Sequence, residues 1–153
     1  SNILDAGCGT GRIGGWLAER GHRVVGVDLD ETLIEVARRD WPQADWQVQN
    51  LAELSLLDES GNPAEFDLVV SAGNVLTFLS VDERLPTLAR LREHLATDGR
   101  IVVGFGAGRG YDFDEFEADA DRAGLVLEQR YSTWTLRPPA ADFLVAVLAA
   151  RPH

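Results

Sequence analysis

The chain has 153 residues, of which 45% are hydrophobic and 25% charged, so its composition is that of one folded domain rather than a disordered segment. Its formal net charge of −11 opposes binding to nucleic-acid phosphates, and no apolar run approaches the roughly 20 residues that span a bilayer. The one cysteine excludes an internal disulfide and fits a reducing compartment such as the cytoplasm.

Apolar runs of strand length alternate with segments of helical period, which indicates a parallel sheet with helices on both faces. Strands are predicted over residues 2–5, 23–28, 46–49, 66–71 and 100–105. Helices are predicted over residues 11–20, after the cap residue Asp30, along the apolar stripe from Val81 to Leu95, and over residues 112–123, where Asp112 and Glu115 resemble a capping box. Pro86 would kink the third helix unless that helix begins at Leu85 or Pro86.

The chain closes on two strand-like segments, over residues 125–136 and 142–149. The connection of about five residues is too short for a parallel crossover, so these strands should be antiparallel. The sequence therefore predicts one α/β domain over residues 1–153, doubly wound, with a seven-stranded sheet that is parallel apart from its last strand. Because the chain has no methionine and starts directly on a strand, we expect a further N-terminal segment before Ser1.

The most informative segment is the glycine-rich turn of residues 7–11, GCGTG, between the first strand and the first helix. Alternating glycines permit positive φ angles and a close approach of a ligand to the backbone, and the helix start offers free N–H groups. Asp28 ends the next strand, where it can reach the hydroxyls of a ribose. These features predict a site for a nucleoside-containing ligand at the carboxyl ends of the strands.

NAD is one candidate for that ligand. Residues 9–14, GTGRIG, match the G-x-G-x-x-G dinucleotide fingerprint, and Asp28 lies 19 residues after Gly9. Against NAD, Asp5 stands where a dinucleotide fold places an apolar residue near the pyrophosphate. The antiparallel close of the sheet is also foreign to a dinucleotide domain.

Four motifs resemble those of class I S-adenosylmethionine (SAM)-dependent methyltransferases. Residues 4–11, LDAGCGTG, resemble motif I of that family, and residues 24–28, VVGVD, resemble its acidic-ended second strand. Residues 66–71, FDLVVS, resemble the fourth-strand motif, and residues 95–101, LATDGRI, resemble the run into the fifth strand. The motifs span nearly the whole chain in the family's order, so the resemblance implies a Rossmann-like fold and SAM as cofactor.

The resemblance also implies roles for single residues. Asp5 would hold the amino group of the methionine part, directly or through water, while Asp28 would bind the ribose and Leu29 would pack on the adenine. Asn50 stands where an acidic residue often meets the adenine amine, and it offers one carbonyl acceptor in place of a carboxylate. The full set of implied cofactor contacts is Asp5, Gly7, Cys8, Gly9, Gly11, Asp28, Leu29, Asn50, Leu51, Ser71, Ala72 and Gly73.

The implied reaction is in-line methyl transfer to an acceptor that the sequence does not identify, and we expect a small molecule. The N/D-P-P-Y/W tetrad of enzymes that methylate amide or base nitrogen is absent, since residues 71–74 read SAGN. Asn74 and Tyr111 are the candidates for a catalytic contact, and no metal site, nucleic-acid partner or membrane is predicted. Two alternatives are a SAM-binding module without catalysis and an NAD-dependent oxidoreductase, and the oligomeric state stays open.

Overall fold

A computed structural model of the protein describes residues 1–73, 75–134 and 142–152. Its strands are β1 (Asn2–Ala6), β2 (Arg23–Asp28), β3 (Asp45–Val48), β4 (Phe66–Ser71), β5 (Leu95–Gly106), β6 (Leu125–Tyr131) and β7 (Phe143–Ala150). Its helices are α1 (Arg12–Glu19), α2 (Glu31–Asp40), α3 (Val81–Glu93) and α4 (Phe113–Arg122). Two 3₁₀ turns lie at Leu51–Glu53 and Val75–Phe78.

The seven strands form one sheet in the order β3-β2-β1-β4-β5-β7-β6. β1 pairs in parallel with β2 on one side and β4 on the other, whereas β7 is antiparallel to both β5 and β6. The predicted Rossmann-like sheet with an antiparallel last strand is therefore confirmed. Because the strand order reverses at β1 and β4, a crevice forms beyond the carboxyl ends of these two strands, where such folds bind ligands.

Both faces of the sheet are buried, which explains why its strands are almost continuously apolar. Successive side chains of a strand point to opposite faces. Ile3 accordingly packs in a cluster with Val24 and Val70, and Leu4 in a larger cluster with Leu88 and other residues of the opposite face. The central strands are thus fixed from two sides, and their ends form a rigid frame for the crevice.

Several predicted strand boundaries need correction. The end of β1 and both ends of β7 lie one residue later than predicted. β3 begins and ends one residue earlier than predicted, and β6 ends at Tyr131 instead of continuing toward residue 136, which lies outside the described residues. β5 begins at Leu95, and the predicted Asp98-Gly99 turn lies inside it as an irregularity in the pairing with β4. Asp98 has a φ of 64°, a left-handed conformation in which the chain can bulge out of the ladder.

α3 begins at Val81 and runs through Pro86, so the prediction of a late start at Leu85 or Pro86 is wrong. Ser80 and Glu83 form a capping box that fixes the early start. Pro86 cannot donate a hydrogen bond to the carbonyl of Asp82 four residues earlier. Both residues are exposed, so water can satisfy that carbonyl.

The predicted apolar stripe of α3 is only partly buried. Val81, at its start, is 73% exposed, whereas Leu88 and Leu91 lie in the core. The buried face also includes Arg84, whose side chain reaches across to α4. There it pairs at 3.5 Å with the carboxylate of Glu115, which therefore does not form the predicted capping box with Asp112.

Candidate functional site

A cavity of about 620 Å³ lies at the carboxyl ends of β1, β2 and β4, in the crevice of the sheet. Its walls come from the glycine-rich turn, the end of β2 and the segments that follow β3 and β4. Ten of the twelve predicted contacts line it, namely Asp5, Gly7, Cys8, Gly9, Asp28, Leu29, Asn50, Leu51, Ala72 and Gly73. The fold thus brings together residues that are up to 68 positions apart in the sequence.

The glycine-rich turn is anchored on the end of β2. The N–H groups of Gly7 and Cys8 both donate to the carbonyl oxygen of Val27, at 2.8 and 2.9 Å. The N–H of Gly9 donates to Oδ2 of Asp28 at 2.9 Å. These bonds fix the height of the turn above the sheet and leave its outer side facing the cavity.

The glycines of the turn have different reasons to be glycine. Gly7, Gly9 and Gly11 have φ angles of 79°, 56° and 85°, which side chains rarely adopt. A Cβ at Gly7 would lie 2.4 Å from Cγ1 of Val75, so the chain after β4 packs directly on the turn. A Cβ at Gly9 would meet nothing within 4 Å, so the space above Gly9 is open to a ligand.

Two predicted contacts do not line the cavity. A Cβ at Gly11 would lie 2.8 Å from Cη2 of Trp46, so Gly11 packs the turn against the core. Ser71 is buried at the end of β4, and among the described residues its hydroxyl has no hydrogen-bond partner. Both residues support the site from behind.

Asp28 is half-buried at the end of β2, with its carboxylate on the cavity. Besides the bond from Gly9, its Oδ1 accepts from the N–H of Asp30 at 2.9 Å. An ionised carboxylate has about four acceptor positions, so about two remain for a ligand. The backbone therefore orients Asp28 in advance, and its remaining capacity suits two neighbouring hydroxyl groups.

Asp5 is the one deeply buried acid of the cavity, at 3% exposure. Burial raises the pKa of Asp5 to about 6, a hydrogen bond from the N–H of Gly14 lowers it, and the charge of Asp28 raises it further. The N–H of Gly14 lies 3.1 Å from Oδ2 of Asp5. At neutral pH Asp5 is therefore largely ionised with little compensation, and a cationic group of a ligand would stabilise it.

The electrostatics of the cavity favour a cationic ligand over a pyrophosphate. Four carboxylates line it, whereas Arg12 is the one cation among the described lining residues. The carboxylates belong to Asp5, Asp28, Asp30 and Glu83. A pyrophosphate at the glycine-rich turn would meet Asp5 and Asp28 at close range, so the charge pattern argues against NAD.

Cys8 lines the cavity in surroundings that disfavour its nucleophilic form. Burial raises the pKa of its thiol, and the charges of Asp5 and Asp28 raise it further. The reactive thiolate form is therefore disfavoured at neutral pH. Cys8 contributes a small side chain and a backbone N–H to the turn.

The side chains of Asn50 and Glu83 lie next to each other on the wall of the cavity. Oδ1 of Asn50 accepts from the N–H of Ala52 at 2.9 Å and caps the 3₁₀ turn at Leu51–Glu53. Nδ2 of Asn50 donates to Oε2 of Glu83 at 3.4 Å. The Asn50 carbonyl, which the sequence suggested as the acceptor for a ligand amine, is therefore already engaged.

Of the two candidates for a catalytic contact, Tyr111 lies away from the cavity. Tyr111 is 1% exposed and stacks on Phe105 with ring centroids 5.6 Å apart, within the core. Its hydroxyl donates to Oδ2 of Asp119 at 2.6 Å, and burial, followed by this bond, raises the pKa of the phenol. Its position does not support a catalytic contact, and Asn74 lies outside the described residues.

The part of the wall that follows β4 was not fully predicted from the sequence. Val75, Phe78 and Leu79 line the cavity there, while Glu83 of α3 lines it beside Asn50. Phe78 is 76% exposed at this edge of the cavity. The spacing Ser80-x-x-Glu83 was the available signal, because it predicts a helix start and so leaves the preceding residues in the connection after the carboxyl end of β4.

The histidines contribute no cavity residue among those described. His94 is buried, and its ring joins the carbonyl of Arg90 at 2.8 Å to the N–H of Leu56 at 3.2 Å. In residues 1–73, 75–134 and 142–152, no three His, Cys, Asp or Glu side chains form a group that could hold a metal ion. In the same ranges, no helix reaches the length and apolar character that a membrane span requires.

Comparison with known proteins assigns the chain to a family. Residues 3–99 match the family described as "Methyltransferase domain". The crystal structure of a TehB-like SAM-dependent methyltransferase from Corynebacterium glutamicum matches with a TM-score of 0.93 and 48% identity, over 99% of this chain and 80% of that one.

Two curated relatives are longer proteins. A putative methyltransferase of Geobacillus sp. strain WCH70 is 31% identical over 123 residues, which are 77% of this chain and 47% of the relative. Ribosomal RNA small subunit methyltransferase C of Chromohalobacter salexigens is 49% identical over 147 residues, which are 86% of this chain and 41% of the relative. The chain thus spans less than half the length of these two relatives. It belongs to the family of SAM-dependent methyltransferases.

Proposed function

We propose that this domain binds SAM in the cavity at the carboxyl ends of β1, β2 and β4 and transfers its methyl group to a small-molecule acceptor. The observation that carries the proposal is the combination of a buried acid, an open glycine turn and a pre-oriented acid along one cavity. Asp5, Gly9 and Asp28 provide these three features. They suit, in turn, an ammonium group, a ligand backbone in close contact and a pair of ribose hydroxyls.

The chain's own residues bind and orient the cofactor. Asp5 holds the ammonium of the methionine part and Asp28 holds the ribose, while Leu29, 69% exposed at the cavity edge, covers one face of the adenine. When bound, SAM supplies a methyl group on a sulfonium that leaves as a neutral thioether. The protein then has to align the acceptor with that methyl group and exclude water, so proximity and orientation carry most of the catalysis.

The wall that follows β4 is suited to the acceptor. Its described lining residues are Ala72, Gly73, Val75, Phe78 and Leu79. None of these five carries a titratable side chain, so this wall supplies shape and apolar contact instead of a proton acceptor. We therefore expect an acceptor with an apolar body, whose nucleophilic atom holds a free lone pair at neutral pH.

RNA is the second candidate acceptor, because a ribosomal RNA methyltransferase is among the relatives. The net charge of −11 and the four cavity carboxylates oppose the approach of a phosphate backbone. The chain also lacks the N/D-P-P-Y/W tetrad at residues 71–74. These observations favour a small molecule.

The first test measures ligand binding. SAM, S-adenosylhomocysteine and NAD are titrated calorimetrically into the wild type, Asp28→Asn and the control Asp114→Asn, which changes an exposed acid of α4. We expect the two S-adenosyl ligands to bind and NAD not to. Asp28→Asn should weaken binding by about 10- to 150-fold, since hydrogen bonds to a charged group contribute about 1.5–3 kcal/mol. Binding of NAD alone would overturn the proposal.

A second test measures turnover. The protein is incubated with SAM labelled in the methyl group and with pools of small-molecule acceptors or ribosomal RNA, and transferred label is counted. Transfer to small molecules supports the proposal, whereas transfer to RNA alone favours the second candidate. Tight binding without transfer to either class would indicate a SAM-binding module.

A further inference from the structure

Glu83 reaches the cavity from a helix that the cofactor motifs do not include. It lies in the first turn of α3, 33 residues after Asn50, and both residues line the same part of the cavity. Leu51, next to Asn50, lines it as well. The contact between α3 and the segment after β3 thus brings a carboxylate to the place where the sequence offers only an amide.

The orientation of the Asn50 amide is fixed by its surroundings. The N–H of Ala52 requires an acceptor, so the oxygen and not the nitrogen of the amide must face it. The Asn50 nitrogen therefore faces Glu83 and carries two N–H donors, of which one is directed at Oε2. Among the described residues, no contact of the second donor is found, and Asn50 is only partly buried.

Glu83 is likewise held in one orientation. Its Oε1 accepts from both the N–H and the hydroxyl of Ser80, each at 3.0 Å, and the first of these bonds belongs to the capping box. These two bonds, followed by the weaker one from Asn50, lower the pKa of Glu83 and keep it ionised. Among the described residues, the 3.4 Å contact with Asn50 is the one contact of Oε2, which retains capacity to accept. A donor and an acceptor thus stand side by side on one wall.

We propose that Asn50 and Glu83 together recognise the adenine edge of the cofactor, with Nδ2 of Asn50 donating to ring nitrogen N1 and Oε2 of Glu83 accepting from the 6-amino group. This inference rests on the proposed function, because it concerns the same bound cofactor. Adenine presents a donor beside an acceptor along this edge, which is the complement of the protein pair. Hypoxanthine presents the opposite order, a 6-oxo acceptor beside an N1–H donor.

The arrangement gives Glu83 two roles that depend on each other. One carboxylate oxygen fixes the start of α3 and the other faces the cavity. The pair would select adenine because a base with reversed polarity leaves both protein groups facing a group of their own kind. Rejection of such a mismatched base is stronger than the loss of one contact, since two polar groups then lose their partners.

The test compares S-adenosylhomocysteine with S-inosylhomocysteine, in which the 6-amino group is replaced by an oxo group. Both are titrated calorimetrically into the wild type, Glu83→Gln, Asn50→Asp, the double variant, and the control Glu35→Gln, an exposed acid of α2. Glutamine also completes a capping box, and aspartate can still cap the 3₁₀ turn, so these variants should fold. Thermal unfolding without ligand checks this.

We expect the wild type and Glu35→Gln to prefer the adenosyl ligand by about tenfold or more. Glu83→Gln should reduce that preference to about threefold or less, because glutamine can present either an acceptor or a donor. The double variant carries an acceptor toward N1 and a donor toward the 6-position, so it should prefer the inosyl ligand. Asn50→Asp should lie between the wild type and the double variant.

Two results would overturn the inference. If the wild type binds both ligands equally, the site does not recognise this edge of the base. If Glu83→Gln and the double variant keep the preference of the wild type, Asn50 and Glu83 do not provide the recognition. Both results leave the proposed function intact, because the ligands still bind. If the wild type binds neither ligand, the proposed function fails and this inference fails with it.

Discussion

The two walls of the cavity are built in different ways. The wall formed by the glycine-rich turn and the end of β2 is polar, and its groups are held by backbone hydrogen bonds from Gly9, Gly14 and Asp30. The wall that follows β4 is apolar in its described part and includes Phe78, which is largely exposed. The polar groups of the first wall are fixed in positions that suit one defined ligand. The second wall offers an apolar surface that could accommodate different acceptors.

This difference explains why the family is clear and the acceptor is not. A cofactor shared by many enzymes needs the same charges and glycines at the same places, and those residues cluster in short motifs near β1 and β2. An acceptor held by shape and apolar contact, as we propose for the second wall, requires features that many sequences can supply. Mutations on the two walls should therefore have different consequences.

The largest effects are expected at the glycines of the polar wall. Gly7→Ala combines a positive φ with a Cβ that would lie 2.4 Å from Val75, so it should reduce the free energy of unfolding by about 2–4 kcal/mol. Gly9→Ala has the positive φ but no clash, so its cost should be about 1–2 kcal/mol. Urea unfolding of both variants measures this difference.

The same glycine pair also tests the position of the ligand. The methyl group of Gly9→Ala would enter the open space above the turn, so this variant should fold but bind S-adenosylhomocysteine at least tenfold more weakly than the wild type. Calorimetric titration provides the comparison. Unchanged affinity in Gly9→Ala would mean that no ligand approaches the turn at this point.

Asp5→Asn should separate stability from binding. Its folded pKa of about 6 lies above the unfolded value of 3.8, so the folded protein retains a proton between about pH 4 and 6 that the unfolded chain loses. Wild-type stability should decline as pH rises through that window. Asparagine has no proton to lose there. The free energy of unfolding of the variant, relative to that of the wild type, should therefore be about 1–3 kcal/mol higher above pH 6 than near pH 4.

Urea unfolding of the wild type and Asp5→Asn at pH 4.5 and about pH 8, with Asp114→Asn as the control, measures the gain. The variant should also bind SAM more weakly, since it cannot neutralise the ammonium. If the difference in free energy of unfolding between the variant and the wild type were the same at both pH values, burial of the Asp5 charge would not destabilise the protein as described here.

The smallest effect is expected on the apolar wall. Phe78→Ala should change the free energy of unfolding by less than about 0.5 kcal/mol, because the side chain is 76% exposed. Its affinity for S-adenosylhomocysteine should stay within about twofold of the wild type, while the KM for an acceptor rises. A loss of cofactor affinity as large as that in Asp28→Asn would show that the two walls are not functionally distinct.

The parts of the structure that the sequence predicted well are those set by local rules. Alternating apolar runs and helical periods specify the order of strands and helices. The connection before β7 is eleven residues and not the predicted five, which is still shorter than a parallel crossover and fits the antiparallel β7. The glycine turn and Asp28 were likewise recognisable, since alternate glycines followed by an acidic strand end are typical of a nucleoside site. These features need no knowledge of distant contacts.

The parts that failed depend on contacts between distant segments. Glu115 was expected to cap α4, but its carboxylate pairs with the guanidinium of Arg84, which lies 31 residues earlier. Tyr111 follows a strand end, as site residues often do, yet its ring packs on Phe105 within the aromatic core. Glu83 contacts Asn50 although the two residues are 33 positions apart, and no local sequence pattern predicts such a contact.

The most direct test of the account is a crystal structure of the protein with S-adenosylhomocysteine. We predict that the ligand lies in the cavity with its ammonium on Asp5, its ribose hydroxyls on Asp28 and its adenine edge facing Asn50 and Glu83. A ligand bound elsewhere, or one whose ribose does not contact Asp28, would contradict the account.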